Sequence, residues 1–201
     1  MSTPEFPKRD PAGPEFWDLR YDADFAPWDA GRVPAQLQAF VACAARPRSV
    51  LVPGCGSGHD VRFLAECGWD VVGVDFSHEA LAKARAVLGP HVNRVRYGDF
   101  FEPIAGEPFE VVYERAFLCA LPRRLWARWA ERVASLVEPG GTLAGYFYFD
   151  TGERGPPFGL EGQGQLDELL VPFFERVEDA AVGDSIDVFK GKERWQEWKR
   201  R

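Results

Sequence analysis

Three closely spaced glycines and a later aspartate are the residues whose types and spacing most directly indicate chemistry. Gly54, Gly56 and Gly58 follow a short apolar run, and Asp75 ends the next one. Glycine lets the backbone turn sharply and approach a ligand where a Cβ would collide. A helix starting near Gly58 would direct its free N–H groups at that ligand, and Asp75 can accept hydrogen bonds from both hydroxyls of a ribose. The pattern predicts a nucleotide-type binding site, with an ordinary strand–helix turn as the alternative.

The spacing of the glycines separates two classes of cofactor. A dinucleotide site uses Gly-x-Gly-x-x-Gly, whose third glycine packs the helix against the strand. Counted from Gly54 and Gly56, that third position is His59. The pattern Gly-x-Gly-x-Gly suits a ligand without a pyrophosphate.

A second polar turn follows the third predicted strand. Asp99, next to Gly98, could bind the exocyclic amine of an adenine, with Phe100 or Phe76 stacking on the ring. A plain turn is the alternative for Gly98 and Asp99. Together with the glycine spacing, this turn favours S-adenosylmethionine as the cofactor.

Large aromatic residues precede the first predicted strand. Trp17, Tyr21 and Trp28 lie at 17–28, where a role as pure core would be unusual. We expect them to cover the glycine turn as a lid, with simple packing as the alternative. Aromatic rings attract a sulfonium by cation–π interaction, worth roughly 0.5–2 kcal/mol per contact, and they exclude water.

Length and composition restrict the class of protein. The chain has 201 residues, 46% of them hydrophobic, which predicts one globular domain. A net charge of -7 argues against a nucleic-acid partner. There is no apolar stretch of the ~20 residues that a membrane span needs, and no signal-peptide core. The four cysteines lack metal-type spacing, so we expect no metal, free thiols and a cytoplasmic location.

Strands and helices alternate as far as Phe149, which predicts a mostly parallel α/β sheet. A final antiparallel pair, 173–182 and 186–195, would join at Gly183-Asp184 and lie at the edge of the sheet. The basic tail from Lys190 to Arg201 is interpreted as a solvated edge. Other strands are expected at 49–53, 70–75, 92–97, 109–113 and 142–149, and helices from Pro14 and at 33–45, 59–67, 78–88, 122–137 and 165–170.

The chain resembles class I S-adenosylmethionine-dependent methyltransferases, specifically the thiopurine methyltransferase and thiol/halide methyltransferase family. The resemblance covers about Phe16 to the C-terminus. It is carried by Val52–Asp60 and Val72–Ser77, and more specifically by Phe16–Tyr21 with Pro27–Asp29, by Tyr113–Leu121 and by Gly155–Phe158. It implies a Rossmann-like, mostly parallel seven-stranded sheet with an antiparallel edge hairpin and helices on both faces. The implied domains are a loose arm at 1–13 and one methyltransferase domain at 14–201, divided into a helical lid segment at 14–45 and a core at 46–201.

The resemblance also implies roles for individual residues. Trp17, Tyr21 and Trp28 would cover the cofactor, Gly54, Cys55 and Gly56 would line its methionine side, Asp75 would hold the ribose, and Gly98, Asp99 and Phe100 the adenine. Arg115 would face cofactor and substrate and orient them without an obligatory base. An ion pair of Arg115 with Glu114 or Asp99 is the structural alternative.

The expected reaction is in-line methyl transfer to a small soft nucleophile, a thiol or thiopurine-like sulfur. Such a reaction depends on alignment and a dry site more than on strong acid–base groups. His59 and His78 are interpreted as solvent-facing residues at helix starts, with a role as bases as the alternative. O- or N-methylation of a small natural product and a catalytically silent cofactor-binding protein are the alternatives. The expected partner is a small molecule, and the expected assembly a monomer or weak homodimer.

Overall fold

A single mixed sheet organises the computed structural model, which describes residues 4–201. Its seven strands lie in the order β3-β2-β1-β4-β5-β7-β6. The first five run parallel, and β7 pairs antiparallel with both β5 and β6. The strands are β1 (Ser49–Pro53), β2 (Asp70–Asp75), β3 (Val95–Tyr97), β4 (Phe109–Arg115), β5 (Val137–Tyr148), β6 (Phe174–Ala181) and β7 (Glu193–Arg200). This arrangement confirms the predicted mostly parallel sheet with an antiparallel hairpin at one edge.

Helices cover both faces of the sheet. They are α1 (Pro14–Asp22), α2 (Ala35–Cys43), α3 (His59–Glu66), α4 (His78–Leu88), α5 (Trp126–Leu136) and α6 (Gln163–Leu170). The buried residues of α2, α3 and α4 belong to one core cluster, and those of α5 and α6 to the cluster on the opposite face. Within residues 4–201, each helix is too short or too polar to cross a bilayer.

Alternation along the central strands explains the two clusters. In β1, Val50 and Val52 face α2, α3 and α4, whereas Leu51 faces the α5 side. Successive strand residues point to opposite faces, so a strand buried on both sides is continuously apolar. Helix α5 has six buried residues, including Trp129 with no exposed surface.

The functional end of the sheet is set by a reversal in strand order. The chain runs outward from β1 to β2 and β3 and then returns to place β4 on the other side of β1. Ligands bind at such a switch point, outside the carboxyl ends of the strands. The glycine turn after Pro53, Phe76 after Asp75, and Ala116 after Arg115 meet there.

Two strand boundaries differ from the sequence prediction. The predicted strand at 92–97 is a strand only at Val95–Tyr97, because Gly89–Arg94 continues from α4 as a 3-10 turn. The strand predicted at 142–149 begins earlier, at Val137, and its pairing register with β4 shifts between Phe109 and Val111.

The predicted final hairpin is wrong in its second strand. Residues 182–192 form a connection, and β7 starts only at Glu193. Gly183-Asp184 is not a tight hairpin turn, because Asp184 instead binds Arg32 and the amide of Ala35 in the N-terminal segment.

The solvated-edge interpretation of the C-terminal segment is also wrong. Strand β7 lies between β5 and β6, and Trp198 and Gln196 have no exposed surface. Trp195 and Trp198 are three residues apart and belong to the core clusters on opposite faces of the sheet, as expected for an internal strand that is buried on both sides.

Candidate active site

A cavity of about 470 Å³ lies outside the carboxyl ends of β1, β2 and β4. Its walls come from the glycine turn, from α1 and the segment after it, from the residues following β4, and from two loops before α6 and β7. A cavity of this size is ample for a small-molecule ligand.

The glycine turn forms the floor of this cavity through positive backbone angles. Gly54 has φ +57° and Gly56 has φ +51°, a region that L side chains rarely adopt. A Cβ on Gly54 would lie 2.4 Å from the Phe117 ring, and one on Gly56 would lie 2.7 Å from the Tyr21 hydroxyl oxygen. The floor therefore has room for backbone only, and its neighbours on both sides are aromatic residues.

Asp75 lies beside the glycine turn. Its Oδ2 accepts a hydrogen bond from the Gly56 amide at 3.0 Å, and its Oδ1 accepts one from the Ser77 amide at 2.9 Å. Burial raises the pKa of Asp75 to about 6, although the two backbone hydrogen bonds oppose that shift. Each oxygen keeps a lone pair for another donor, so this carboxylate suits a diol ligand.

Helix α1 closes the cavity from above. The hydroxyl of Ser77 donates to Asp18 at 2.6 Å, which fixes α1 to the start of α4. Trp28 donates through Nε1 to the Tyr21 hydroxyl at 3.1 Å, and the Trp17 and Trp28 rings meet edge to face with centroids 5.4 Å apart. The three predicted lid aromatics therefore form one connected group, and all three line the cavity.

The arm before α1 also makes contacts. The Phe6 ring packs on Phe25 with centroids 5.5 Å apart, and Trp17 donates through Nε1 to the Pro11 carbonyl. Residues 1–3 of the predicted loose arm lie outside the described part of the chain. In the 14–45 segment, α2 packs with Leu37 in the core, whereas α1 covers the cavity.

Two further predicted residues reach the cavity from the strand ends. Cys55 lines it within the glycine turn, and Phe76 lines it directly after Asp75. Burial raises the pKa of the Cys55 thiol well above its usual value, and the Asp75 charge raises it further. Cys55 is therefore a neutral thiol and not a nucleophile.

The predicted adenine-binding turn is not among the residues that line the cavity in the described chain. Asp99 accepts a hydrogen bond from the Phe101 amide at 2.9 Å. Phe100 is 2% exposed and packs against Phe117 with ring centroids 4.9 Å apart. Contacts of Gly98, Asp99 and Phe100 with a cofactor stay predictions, and Phe117 is the aromatic ring that faces the cavity at this point.

Arg115 ends β4 and lines the cavity. Its guanidinium lies 4.3 Å from the centre of the Tyr146 ring and 5.8 Å from that of Phe189. It pairs with Glu193 of β7 at 3.1 Å, both side chains being mostly buried. In the described chain the ion partner of Arg115 is Glu193, and not Glu114 or Asp99 as in the structural alternative, because β7 pairs with β5, the neighbour of β4.

Two further carboxyls belong to the surroundings of Arg115. Glu114 precedes it in the chain, and Asp60 interacts with its charge from the start of α3. Glu114 accepts from the Phe117 and Leu118 amides through Oε1 and holds the turn after β4. Burial raises the pKa of Glu114 to about 7. Asp60 lines the cavity at the start of α3, and burial raises its pKa to about 7 while the charge of Arg115 lowers it.

The Gly155–Pro157 loop forms an outer wall of the cavity and is held by Arg123. The Arg123 guanidinium donates to the carbonyls of Gly152, Glu153 and Gly159 at 2.8, 3.2 and 2.9 Å. These three bonds fasten both ends of the loop to the segment before α5.

Sequence patterns missed several of these residues. Asp60 lies two positions after Gly58, so the motif itself held a signal for it. Phe117 likewise follows Arg115 closely. No such signal pointed to Glu193 or Phe189, because residues 186–195 were predicted to form the last strand. His59 begins α3 as expected and also lines the cavity, 4.0 Å from Asp29.

The fold and the site define a class I, Rossmann-like S-adenosylmethionine-dependent methyltransferase. A Burkholderia thailandensis 1,6-didemethyltoxoflavin-N1-methyltransferase, solved with bound S-adenosylhomocysteine, shares the fold with a TM-score of 0.73 at 19% identity, over 98% of this chain and 92% of that one. The magnesium protoporphyrin IX methyltransferase of Synechocystis PCC 6803 also gives a TM-score of 0.73, at 15% identity, over 94% and 98%.

The chain belongs to the thiopurine S-methyltransferase family, whose model matches residues 12–201. It is 32% identical to thiocyanate methyltransferase 1 of Arabidopsis thaliana, over 92% of this chain and 84% of the relative. It is 34% identical to a thiopurine S-methyltransferase of Vibrio cholerae, over 73% of this chain and 76% of the relative. These relationships confirm the predicted family, enzyme class and cofactor.

Proposed function

We propose that this protein methylates the sulfur of a small, soft nucleophile, a thiol or a thiocyanate-like anion, in the cavity at the ends of β1, β2 and β4. The observation that carries the proposal is the position of Arg115. Its guanidinium lines the same cavity as the rings of Phe117 and Phe189 and the loop at 155–157. A compact anion with a polarisable, weakly hydrated sulfur fits such a surface.

The residues at the other end of the cavity fit the family's cofactor. A Cβ would fill the space above Gly54 and Gly56, and Asp75 offers two acceptor oxygens to a ribose. Tyr21 and Trp28 would cover the cofactor from α1 and the segment after it. When bound, S-adenosylmethionine supplies an electrophilic methyl group on a positively charged sulfur.

The chain's own residues contribute alignment and exclusion of water. The aromatic lid removes water from the path of the nucleophile, which strengthens electrostatic interactions there. Arg115 has five N–H donors, and its bond to Glu193 uses one of them. The remaining donors can hold an anionic acceptor in line with the methyl group, and proper alignment is the larger part of catalysis in such a displacement.

The test is a product assay by mass spectrometry with S-adenosylmethionine and a panel of thiols, thiocyanate, phenols and amines. We expect methylated thiols or methyl thiocyanate. Products from phenols or amines alone would contradict S-methylation. Cofactor binding by calorimetry without product from any acceptor would indicate a catalytically silent protein.

We also propose a monomer or weak homodimer in the cytoplasm. The four free cysteines fit the reducing conditions of the cytoplasm. Sedimentation at micromolar concentration and localisation of a tagged chain test the two statements.

A further inference from the structure

We propose that Asp60 is the general base that deprotonates neutral thiol acceptors in this cavity. The inference rests on the proposed S-methylation and adds a proton-accepting residue to it. It also predicts that a neutral thiol needs Asp60 for methylation, whereas an anionic acceptor does not.

The geometry of Asp60 is unusual for a carboxyl with only a structural role. It is the second residue of α3 and lines the cavity on which Arg115 also opens. Its Oδ1 is buried and has no hydrogen-bond partner among residues 4–201. A carboxyl in such a position costs stability unless it is paired.

The nearest cation does not neutralise this carboxyl through a salt bridge. Arg115 is paired with Glu193 at 3.1 Å, and it has no such contact with Asp60 in the described chain. The hydroxyl of Tyr113, on β4, is likewise buried and without a partner. Tyr113 does not line the cavity, whereas Asp60 does, so the carboxyl of Asp60 is the group whose free hydrogen-bonding capacity an acceptor S–H can use.

The charges around Asp60 tune its affinity for a proton. Burial raises its pKa to about 7, Arg115 of β4 and the Tyr113 hydroxyl lower it, and Asp29 after α1 raises it. His59 is its neighbour on α3, and Glu193 acts on it through Arg115. A base with a pKa near neutrality is ionised in a large fraction of molecules and still accepts a proton from a thiol.

The proposed step is balanced. The S–H bond of the acceptor breaks, an O–H bond forms on Asp60, and both electrons of the S–H bond stay on sulfur. That sulfur then forms the bond to the methyl group, and the electrons of the donor's C–S bond neutralise the sulfonium. The proton leaves Asp60 for solvent after the product departs. Thiocyanate carries no proton at neutral pH and does not need this step.

The experiment compares Asp60→Asn with the unchanged protein on two acceptors, an alkyl thiol and thiocyanate, at pH 7. A thiol with a pKa near 8.5 is only about 3% thiolate at that pH, so we expect about a 30-fold lower kcat/KM for the thiol. The loss with thiocyanate should be at least tenfold smaller than the loss with the thiol, and circular dichroism shows whether the variant folds. In the variant, the thiol rate should rise with pH toward the thiol's own pKa.

A second measurement does not depend on turnover. An arenethiol whose thiolate absorbs at longer wavelength than its thiol is titrated into the protein with S-adenosylhomocysteine. The unchanged protein should bind it as thiolate at a pH where the Asp60→Asn variant binds the neutral thiol. Glu66→Gln, at the exposed far end of α3, is the matched control and should behave as the unchanged protein.

Equal losses of kcat/KM for both acceptors in Asp60→Asn would overturn the role of Asp60. So would an Asp60→Asn variant whose thiol rate and bound-arenethiol absorbance both match those of the unchanged protein. Failure of the unchanged protein to methylate either acceptor would instead overturn the proposed S-methylation. In that case the arenethiol titration alone decides whether Asp60 accepts a thiol proton.

Discussion

The indole Nε1 of Trp28 donates a hydrogen bond of 3.1 Å to the hydroxyl of Tyr21, and the same hydroxyl lies directly over the glycine turn. Trp28 therefore fixes Tyr21 against the turn. Burial raises the pKa of Tyr21 far above its usual value, and the charge of Asp75 raises it further, so the hydroxyl stays neutral. The two rings meet edge to face with centroids 5.8 Å apart.

The Trp28→Phe substitution tests this connection. It keeps an aromatic ring but removes the donor, so Tyr21 loses a partner worth about 1 kcal/mol. We expect S-adenosylmethionine to bind about three- to tenfold more weakly in calorimetry. Tyr21→Phe should have a similar effect, and the double variant should be no weaker than the weaker single variant, because both remove one bond.

The control for this pair is Tyr97→Phe, which removes the hydroxyl of a tyrosine that is 55% exposed. It should leave cofactor affinity unchanged. Additive losses in the Trp28 and Tyr21 double variant would mean that the two residues act on the cofactor independently.

The Gly54→Ala substitution tests the floor of the cavity. It places a methyl group 2.4 Å from the Phe117 ring at a position with φ +57°. Gly31→Ala is a matched control, since its φ is +61° and nothing lies within 4 Å of its Cβ. Both should lose about 1 kcal/mol of stability from the backbone angle, but only Gly54→Ala should lose more than tenfold in cofactor affinity by calorimetry.

The expected difference in cofactor affinity between Gly54→Ala and Gly31→Ala depends on Phe117. If the collision with its ring is the cause, Phe117→Leu should restore part of the binding of the Gly54→Ala variant. Equal binding losses in the two glycine variants would show that backbone strain alone explains the result.

Local sequence patterns predicted the parts of the fold that depend on local rules. Strands β1 and β2 follow from apolar runs, and α4 begins at the predicted residue 78, where the Ser77 hydroxyl accepts from the Ala80 amide at 3.0 Å. The position of β7 could not be predicted in this way. The insertion of this strand between β5 and β6 is decided by tertiary pairing, which no local pattern of residues 193–200 specifies.

In the site, too, local sequence features could be predicted and contacts between distant segments could not. Residues at the strand ends, such as Asp75, were predicted because a glycine turn and an acid at a fixed separation are a local signal. The partner of Arg115 was not, since Glu193 is 78 residues away in the chain. The hydrogen bonds of Arg123 to the loop around Gly155–Pro157 were not predicted either. Their acceptors are backbone carbonyls, which every residue type has, so the sequence of the loop does not indicate them.

The stability of this protein should fall as pH rises from 4.5 to about 7. The folded-state pKa of Glu114 is raised from 4.5 to about 7 by burial. Between those values the folded state keeps a proton that the unfolded chain has lost, so the free energy of unfolding decreases with pH, by about 3 kcal/mol at most for this group. Asp60 and Asp75 act in the same direction.

The Glu114→Gln substitution isolates one of these groups. Its amide oxygen can still accept from the Phe117 and Leu118 amides, and it cannot ionise. Urea unfolding at several pH values should show a shallower decline for the variant. An identical decline in both proteins would assign the pH dependence to the other carboxyls.

The Arg123→Met substitution should affect the acceptor and not the cofactor. It removes the three hydrogen bonds to the carbonyls of Gly152, Glu153 and Gly159, so the Gly155–Pro157 wall loses its attachment. We expect KM for the acceptor to rise about tenfold, with the cofactor dissociation constant within twofold by calorimetry.

Its neighbour provides the matched control. Among residues 4–201, Arg124 pairs only with Asp10, each side chain being 57% exposed, and such surface pairs contribute little. Arg124→Met removes the same charge without releasing the loop, so both constants should stay unchanged. If Arg123→Met weakened cofactor and acceptor binding equally, the loop would be a general support of the cavity, and Arg123 would have no particular role in holding the acceptor.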